Sequence, residues 1–161
     1  MALVYKVEDF QSYLLDAVPL WKTHFKEISL ESMKDKRPFA PDIRRYLSLE
    51  EQKMLAVFTM RDEQGSLKGY AVFILSTMMH YSRNLYAIND ALYVSPHMRK
   101  GREAIKFMKW CEKKIVEVTN GLVSVVQWRT KSDHNFGRVL ESMGYSQDDI
   151  TYTKWVGELH G

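Results

Sequence analysis

Cysteine is almost absent from this sequence of 161 residues, which has a single one at position 111. One thiol cannot form an internal disulfide, so the fold does not depend on disulfides and we expect a reducing compartment. Proline, with four residues, and glycine, with eight, are also scarce, and neither is concentrated in one stretch. The sequence therefore offers no linker between domains, and we predict a single domain over residues 1–161.

Long hydrophobic runs are missing as well. Acidic side chains occur near the start of the chain, where a secretory signal would need an apolar run, and no apolar stretch approaches the length that crosses a bilayer. We therefore expect a cytoplasmic protein without a membrane partner. An excess of one charge is also lacking, because 23 lysines and arginines face 20 aspartates and glutamates. This surplus is too small to favour nucleic acid as a partner.

Hydrophobic spacing predicts the first secondary-structure elements. Alternation over residues 3–7 indicates a short strand, and apolar residues every three or four positions over residues 10–28 indicate an amphipathic helix or two consecutive helices. Because proline lacks a backbone donor, Pro19 predicts a kink or a restart near Val18. A further short helix is predicted to begin at Pro41, since its fixed φ suits the first helical position.

The rest of the chain alternates between strand and helix patterns. The two strands on either side of the turn-forming residues 62–66 are predicted to form a hairpin. The predicted strands cover residues 54–60, 69–75, 86–94, 122–128 and 151–156, and the predicted helices cover residues 102–118 and 136–143. This order implies an α/β domain with a mixed central sheet flanked by helices.

The most informative segment is the short basic loop between the strand that ends before Pro96 and the helix that begins near Arg102. Unpaired amides and the positive end of the helix dipole favour an anion such as a pyrophosphate there. Gly101 lets the backbone approach the phosphates closely, and Arg99 and Lys100 add positive charge. The alternative is a solvated basic turn without a ligand, because short motifs also match by chance.

This loop resembles the acyl-CoA loop of the GNAT superfamily, the Gcn5-related N-acetyltransferases. The usual pattern in that family is Arg or Gln, two residues, Gly, one residue, and then Gly or Ala. Arg99 and Ala104 fit the pattern, whereas Arg102 stands where the middle glycine is expected and Gly101 comes one residue early. This variant resembles small acetyltransferase-like proteins of tailed bacteriophages.

The resemblance continues in residues 133–145, which are similar to the family's late helix beside the pantetheine arm of acyl-CoA. It implies direct transfer of an acetyl group from acetyl-CoA to an amine, either on a small molecule or on a protein lysine, without a covalent enzyme intermediate. Backbone amides near the end of the fourth strand would polarise the thioester carbonyl. The residues that the resemblance assigns to acetyl-CoA are Leu92, Val94, Arg99, Lys100, Gly101, Arg102, Glu103, Ala104 and Asn135.

The resemblance also implies a general acid that protonates the departing thiolate and a general base that accepts the proton of the amine. Leu140 occupies the position where many members carry a tyrosine general acid, so Tyr145 is the candidate that would protonate the departing thiolate. Asp90, on the strand that borders the expected site, is the candidate base for the amine. A core tyrosine and an ordinary strand aspartate are the alternatives. Residues 78–81 are hypothesised to line the acceptor pocket.

Other functions stay open at this point. The missing tyrosine and the displaced glycine permit a catalytically silent phage structural or interaction protein with the same fold. A relative that modifies nucleic-acid bases and a module that only holds acyl-CoA are further alternatives, with nucleic acid the less favoured partner. The acceptor and the oligomeric state, a homodimer included, are left open by the sequence.

Overall fold

Five strands lie side by side in their sequence order in a computed structural model that describes residues 2–33, 35–99, 101–132 and 134–157. Adjacent strands among the first four are antiparallel to one another, and the fifth strand is parallel to the fourth. The strands are β1 (Val4–Glu8), β2 (Leu55–Arg61), β3 (Leu67–Met78), β4 (Tyr81–Val94) and β5 (Val123–Gln127). The predicted mixed sheet and the predicted hairpin of β2 and β3 are therefore confirmed.

Helices cover both faces of this sheet. Because side chains alternate along a strand, neighbouring residues such as Val72 and Phe73 enter two separate hydrophobic clusters. The cluster around Val72 contains residues of the first two helices, and the cluster around Phe73 contains residues of the last two. The helices are α1 (Phe10–Ile28), α2 (Ile43–Glu51), α3 (Glu103–Val118) and α4 (Gly137–Ser142). None of the described helices is long and apolar enough to cross a membrane.

Helix α1 begins after Asp9, whose carboxylate accepts a hydrogen bond from the amide of Ser12 at 2.8 Å. It then continues through Pro19 to Ile28, so the predicted restart near Val18 is wrong. Proline leaves the carbonyl four residues earlier without its helical donor. That carbonyl belongs to Leu15, whose side chain is 80% exposed, so water can reach this side of the helix and replace the bond.

Two other predicted elements need correction. Helix α2 begins at Ile43 rather than at Pro41, because Asp42 caps it by accepting a hydrogen bond from the amide of Arg45 at 3.0 Å. The predicted closing strand over residues 151–156 is wrong, since no described strand pairs with this segment. Its β propensity is not supported by burial, because the side chain of Tyr152 is 91% exposed.

A buried ion network joins the first two strands to α1. The guanidinium of Arg61 donates to both oxygens of Glu8, at 2.8 and 2.9 Å, and to Asp16 at 2.8 Å. The hydroxyl of Thr59 also donates to Glu8. Burial alone would raise the pKa of Glu8, but the hydrogen bonds from Arg61 and Thr59 outweigh it and lower the pKa. The network therefore links β1 to β2 and fixes α1 against the sheet.

Candidate active site

The edge of β4 is open along the second half of the strand. β5 pairs with β4 only over residues 85–88, and no described strand pairs with that edge over residues 89–94. The amide of Ser95 donates to the carbonyl of Lys68 at 2.8 Å, so Ser95 faces the chain that leads into β3. Because backbone groups alternate between the two edges of a strand, the amides of Leu92 and Val94 point into the gap beside β5. Two free donors therefore line this gap.

The amides at the start of α3 are free as well. Those of Gly101, Arg102 and Glu103 donate to no other described residue, as expected for the first turn of a helix. Gly101 is exposed and has no positive φ, and a Cβ atom added to it would meet nothing within 4 Å. The fold itself therefore does not require glycine at this position. Lys100, the neighbouring predicted ligand, lies outside the described residues.

The side chain of Arg99 is held by the protein's own groups. Its Nε donates to the carbonyl of Val94 at 2.6 Å, and a terminal nitrogen donates to Glu27 at 2.8 Å. Its guanidinium also lies over the ring of Tyr93, 5.6 Å from the ring centre. These contacts turn the Arg99 side chain toward β4 and α1, so the free donors at this loop are backbone amides.

The remaining loop residues differ in their surroundings. Arg102 is exposed at the N-cap of α3, and its side chain makes no capping hydrogen bond. Oε1 of Glu103 lies 3.8 Å from Nζ of Lys106, which is one turn further along the same helix. Ala104 packs against the hydrophobic cluster on the α3 side of the sheet. Arg102 therefore faces solvent near the free amides without a capping bond, whereas the exposed Arg99 side chain is engaged with Val94 and Glu27.

Asp90 forms a bulge in β4. Val72 of β3 pairs with Ala91 and Phe73 pairs with Asn89, which leaves Asp90 as an extra residue without a partner on β3. A bulge redirects a side chain and is common beside active sites. Asp90 is exposed, and its carboxylate accepts a hydrogen bond from the hydroxyl of Tyr46 on α2. The bulge thus directs the predicted base toward α2.

A cavity of about 200 Å³ lies beside Asp90, between the sheet and the first two helices. Of the described residues that line it, Asp90 is the only carboxylate, and none is a lysine or an arginine. Most of the lining side chains are aromatic, among them Phe10, Tyr13, Trp21, Phe25, Phe39 and Tyr70. The cavity is therefore largely apolar, with a single anionic group at its wall.

The buried polar groups of this cavity are paired with one another. The indole nitrogen of Trp21 donates to the hydroxyl of Tyr13 at 3.1 Å, and Nδ1 of His24 is hydrogen-bonded to the hydroxyl of Tyr70 at 2.6 Å. Burial lowers the pKa of His24 to about 4, so the imidazole is neutral at pH 7. Few polar groups are consequently left for a ligand, apart from the carboxylate of Asp90.

The hydroxyl of Tyr46 stays protonated beside that carboxylate. Burial, together with the hydrogen bond to Asp90, raises the pKa of Tyr46. A protonated phenol that donates to a carboxylate holds it in one orientation. Tyr46 therefore positions the Asp90 carboxylate at the cavity wall.

Tyr145 and Asn135 lie away from this cavity. The Tyr145 hydroxyl donates to Glu112 of α3 at 2.6 Å and accepts from the indole nitrogen of Trp128 at 3.0 Å. Burial and the hydrogen bond to Glu112 raise the pKa of Tyr145. The side-chain oxygen of Asn135 accepts from the amide of Gly137 at 2.8 Å, at the start of α4. Both side chains therefore have local structural partners, and their predicted roles toward acetyl-CoA stay predictions.

Replacing Tyr145 with phenylalanine tests the predicted acid. If the hydroxyl protonates the thiolate, kcat for acetyl transfer falls by about 10²-fold or more, in the range typical of general acids. Because the same change removes two hydrogen bonds, we also expect a loss of about 1–2 kcal/mol in the free energy of unfolding. Unchanged turnover, measured at saturating acetyl-CoA alongside a thermal melt, would leave Tyr145 as a structural link between α3 and the chain after β5.

The hypothesis that residues 78–81 line the acceptor pocket stays a prediction. This segment forms the turn between β3 and β4, with Met79 97% exposed, and it does not line the cavity beside Asp90. Several of the aromatic walls of that cavity come from α1, on the face that the helical spacing predicts to be buried. Their density on that face was the available signal, but the spacing alone could not separate a core from a cavity wall.

Comparison with known proteins supports the fold. No protein-family model matches the sequence, and no curated protein matches it. Among solved structures, the ribosomal-protein-alanine N-acetyltransferase of Brucella melitensis biovar Abortus 2308 has a TM-score of 0.68 at 18% identity, covering 98% of this chain and 99% of that chain. The glucosamine-6-phosphate N-acetyltransferase of Arabidopsis thaliana has a TM-score of 0.67 at 10% identity, covering 96% and 99%.

A third similar structure contains the expected donor. It is a predicted acetyltransferase from Clostridium acetobutylicum with acetyl-CoA, which has a TM-score of 0.65 at 13% identity and covers 99% of this chain and 100% of that chain. At such identities, the similarity establishes the fold and does not assign an acceptor. The GNAT resemblance of the sequence is thus confirmed for the fold along almost the whole chain.

Proposed function

From the premise that the chain has the fold of the GNAT N-acetyltransferases, we propose that it transfers an acetyl group from acetyl-CoA to an amine. The observation that carries the proposal is the open edge of β4. This stretch of the strand contains the free amides of Leu92 and Val94 and the carboxylate of Asp90, and the free amides at the start of α3 follow it in the chain. The amides at Leu92 and Val94 are donors for a thioester carbonyl, and those at the start of α3 are donors for a pyrophosphate.

In this proposal the amine attacks the thioester carbon directly. It must lose a proton to do so, and Asp90 is the group that receives it, because no other carboxylate is found among the described residues that line the cavity. The amides of Leu92 and Val94 stabilise the negative charge that develops on the carbonyl oxygen. The thiolate then leaves and takes up a proton, for which Tyr145 is the candidate donor.

The proposal also covers the cellular setting. The thiol of Cys111 is buried, and burial raises its pKa, so it is neither a nucleophile nor a readily oxidised group. We propose a cytoplasmic location for a protein that acts as one domain over residues 1–161, which is supported by a single cysteine that can form no internal disulfide.

Replacing Gly101 with alanine tests the pyrophosphate site. The added methyl group meets nothing in the protein, so we expect the melting temperature to stay unchanged. If phosphates approach the backbone there, the methyl group blocks one or two charge-assisted hydrogen bonds, each worth about 1.5–3 kcal/mol. Acetyl-CoA affinity should then fall by about tenfold or more, as measured by calorimetry.

A ligand control makes this test specific. S-acetylpantetheine lacks the pyrophosphate, so its affinity should be the same for the wild type and for Gly101→Ala. Equal loss of affinity for both ligands, or no loss for either, would contradict the assignment of the loop. Charge reversal at Arg99 is a poorer probe, because it would also break the contacts to Glu27 and Val94.

Release of free thiol then separates transfer from simple binding. A protein that binds acetyl-CoA but releases no thiol with any amine would be a binding module or a silent member of the fold. We expect thiol release that depends on both the amine and the enzyme concentration.

A further inference from the structure

We infer that the acceptor is a small primary amine with an uncharged apolar body, which binds with its ammonium group at Asp90 and its body in the aromatic cavity. This inference rests on the proposed function, because it names the acceptor of that same site. It is argued from the charge, the hydrogen bonding, the size and the polarity of the cavity.

The charge of the cavity favours a cation and opposes an anion. Asp90 carries the only formal charge among the described lining residues, since His24 is neutral at pH 7 and no lysine or arginine is among them. An acceptor that also carries a phosphate or a carboxylate would bring a second negative charge next to Asp90 without a lysine or an arginine among the described lining residues to pair it. Amines of that kind are therefore poor acceptors.

The hydrogen bonding of the cavity opposes acceptors with many hydroxyl groups. The indole nitrogen of Trp21 is paired with Tyr13 and Nδ1 of His24 with Tyr70, so these atoms already have partners within the protein. Sugar hydroxyls that enter such a cavity lose hydrogen bonds to water without gaining equivalent partners. The aromatic walls instead favour an apolar body, and their ring faces also attract an ammonium group.

The size and the polarity of the cavity favour a free small molecule over a protein lysine. A volume of about 200 Å³ equals that of about seven liquid water molecules, which suits a compact ligand. Asp90 is exposed, whereas Phe10 and Tyr70 are almost completely buried, so the polar end of the cavity is at its opening and the apolar end is deep. A lysine side chain would enter with its ammonium first, and once that ammonium reached Asp90 at the opening the apolar end of the cavity would stay unfilled.

A panel of four amines tests the inference through thiol release with acetyl-CoA. 2-Phenylethylamine has the predicted chemistry, and phenylalanine adds only a carboxylate to it. Glucosamine represents a hydroxyl-rich amine, and an N-acetylated tripeptide amide with a central lysine represents a protein substrate. We expect kcat/KM for 2-phenylethylamine to exceed that for each of the other three by at least about 100-fold, because each lacks one of the required features.

Two further measurements examine the binding mode. 2-Phenylethanol has the same body without the ammonium group, so it should bind at least about tenfold more weakly than the amine by tryptophan fluorescence. Phe39→Ala removes a cavity wall whose side chain is 43% exposed, and it should raise KM for 2-phenylethylamine about tenfold while acetyl-CoA affinity stays constant. Tyr152→Ala, on a side chain that is 91% exposed and outside the cavity, is the matched control and should behave as wild type.

The outcomes separate this inference from the proposed function. Preference for phenylalanine, glucosamine or the peptide would overturn the acceptor class while leaving acetyl transfer intact. Equal binding of 2-phenylethanol and 2-phenylethylamine, or an unchanged KM in Phe39→Ala, would overturn the assigned binding mode. Failure to release thiol with all four amines, together with failure to bind acetyl-CoA, would overturn the proposed function and the inference with it.

Discussion

Replacing Asp90 with asparagine is expected to lower kcat/KM for acetyl transfer by about 10²–10⁴-fold, the range for loss of a general base. Asparagine has nearly the same shape and can still accept the hydrogen bond from Tyr46, but it cannot take the proton of the attacking amine. The fold should be preserved, since Asp90 is exposed and lies in a bulge without a partner on β3. Steady-state kinetics with a saturating acetyl-CoA concentration measure the effect.

Two controls accompany this variant. Acetyl-CoA affinity measured by calorimetry should be unchanged, because the proposed donors for the pyrophosphate are the amides at the start of α3 and not the Asp90 side chain. Asp149→Asn makes the same chemical change at an exposed carboxylate whose hydrogen-bond partner among the described residues is the adjacent amide of Ile150, and it should keep full activity. Full activity of Asp90→Asn would show that another group, or water, takes the proton.

Replacing Arg61 with alanine is expected to lower the free energy of unfolding by about 3 kcal/mol. The side chain of Arg61 is only 9% exposed, and its loss leaves the buried carboxylate of Glu8 without its main partner. We place the effect at the lower end for a buried ion pair, because Asp16 on the other side of the guanidinium is 53% exposed. Denaturant unfolding followed by circular dichroism measures the change.

The pH dependence of this difference provides an internal check. The folded pKa of Glu8 is lowered, so its stabilising contribution is present above the unfolded value near 4.5 and is lost as the pH falls through the lower folded pKa. In Arg61→Ala the effect of burial on Glu8 is no longer offset by Arg61, so the gap in stability between wild type and variant should be largest near neutral pH and shrink progressively as the pH falls and Glu8 is protonated. A gap that does not depend on pH would mean that Arg61 acts by packing and not by its charge. Lys114→Ala, which removes an exposed ion pair with Glu117, should change the stability very little.

Local patterns were sufficient to predict most of the fold. The helical spacing before and after the loop at Gly101 and the turn residues between β2 and β3 depend on neighbours in sequence, and these elements are confirmed. The strand predicted over residues 151–156 failed because a strand also needs a partner, and pairing is a property of the tertiary structure. Propensity alone could not reveal that this segment has none among the described strands.

The cavity beside Asp90 was not predictable for a related reason. Its walls combine α1, α2 and two strands, which are distant in sequence, so no local window contains them. Asp90 itself was identified by its place on the strand before the loop, but its bulge depends on the register with β3. The hydrogen bond from Tyr46 likewise connects positions 44 residues apart. The candidate base could thus be chosen from the sequence, whereas its surroundings could not.

The extra residue in β4 also changes which side chains of the strand face each side of the sheet. Before it, the odd-numbered Ala87 packs on the α3 side of the sheet, and after it the odd-numbered Tyr93 packs on the α1 side. Deleting Asp90 would therefore shift the register of the following residues by one and exchange their two faces. The amides of Leu92 and Val94 would then point toward β3, and those of Ala91 and Tyr93 would point into the gap. One inserted residue thus supplies the proposed base and also sets which backbone amides point away from β3, so deleting it would remove the carboxylate and displace those amides at the same time.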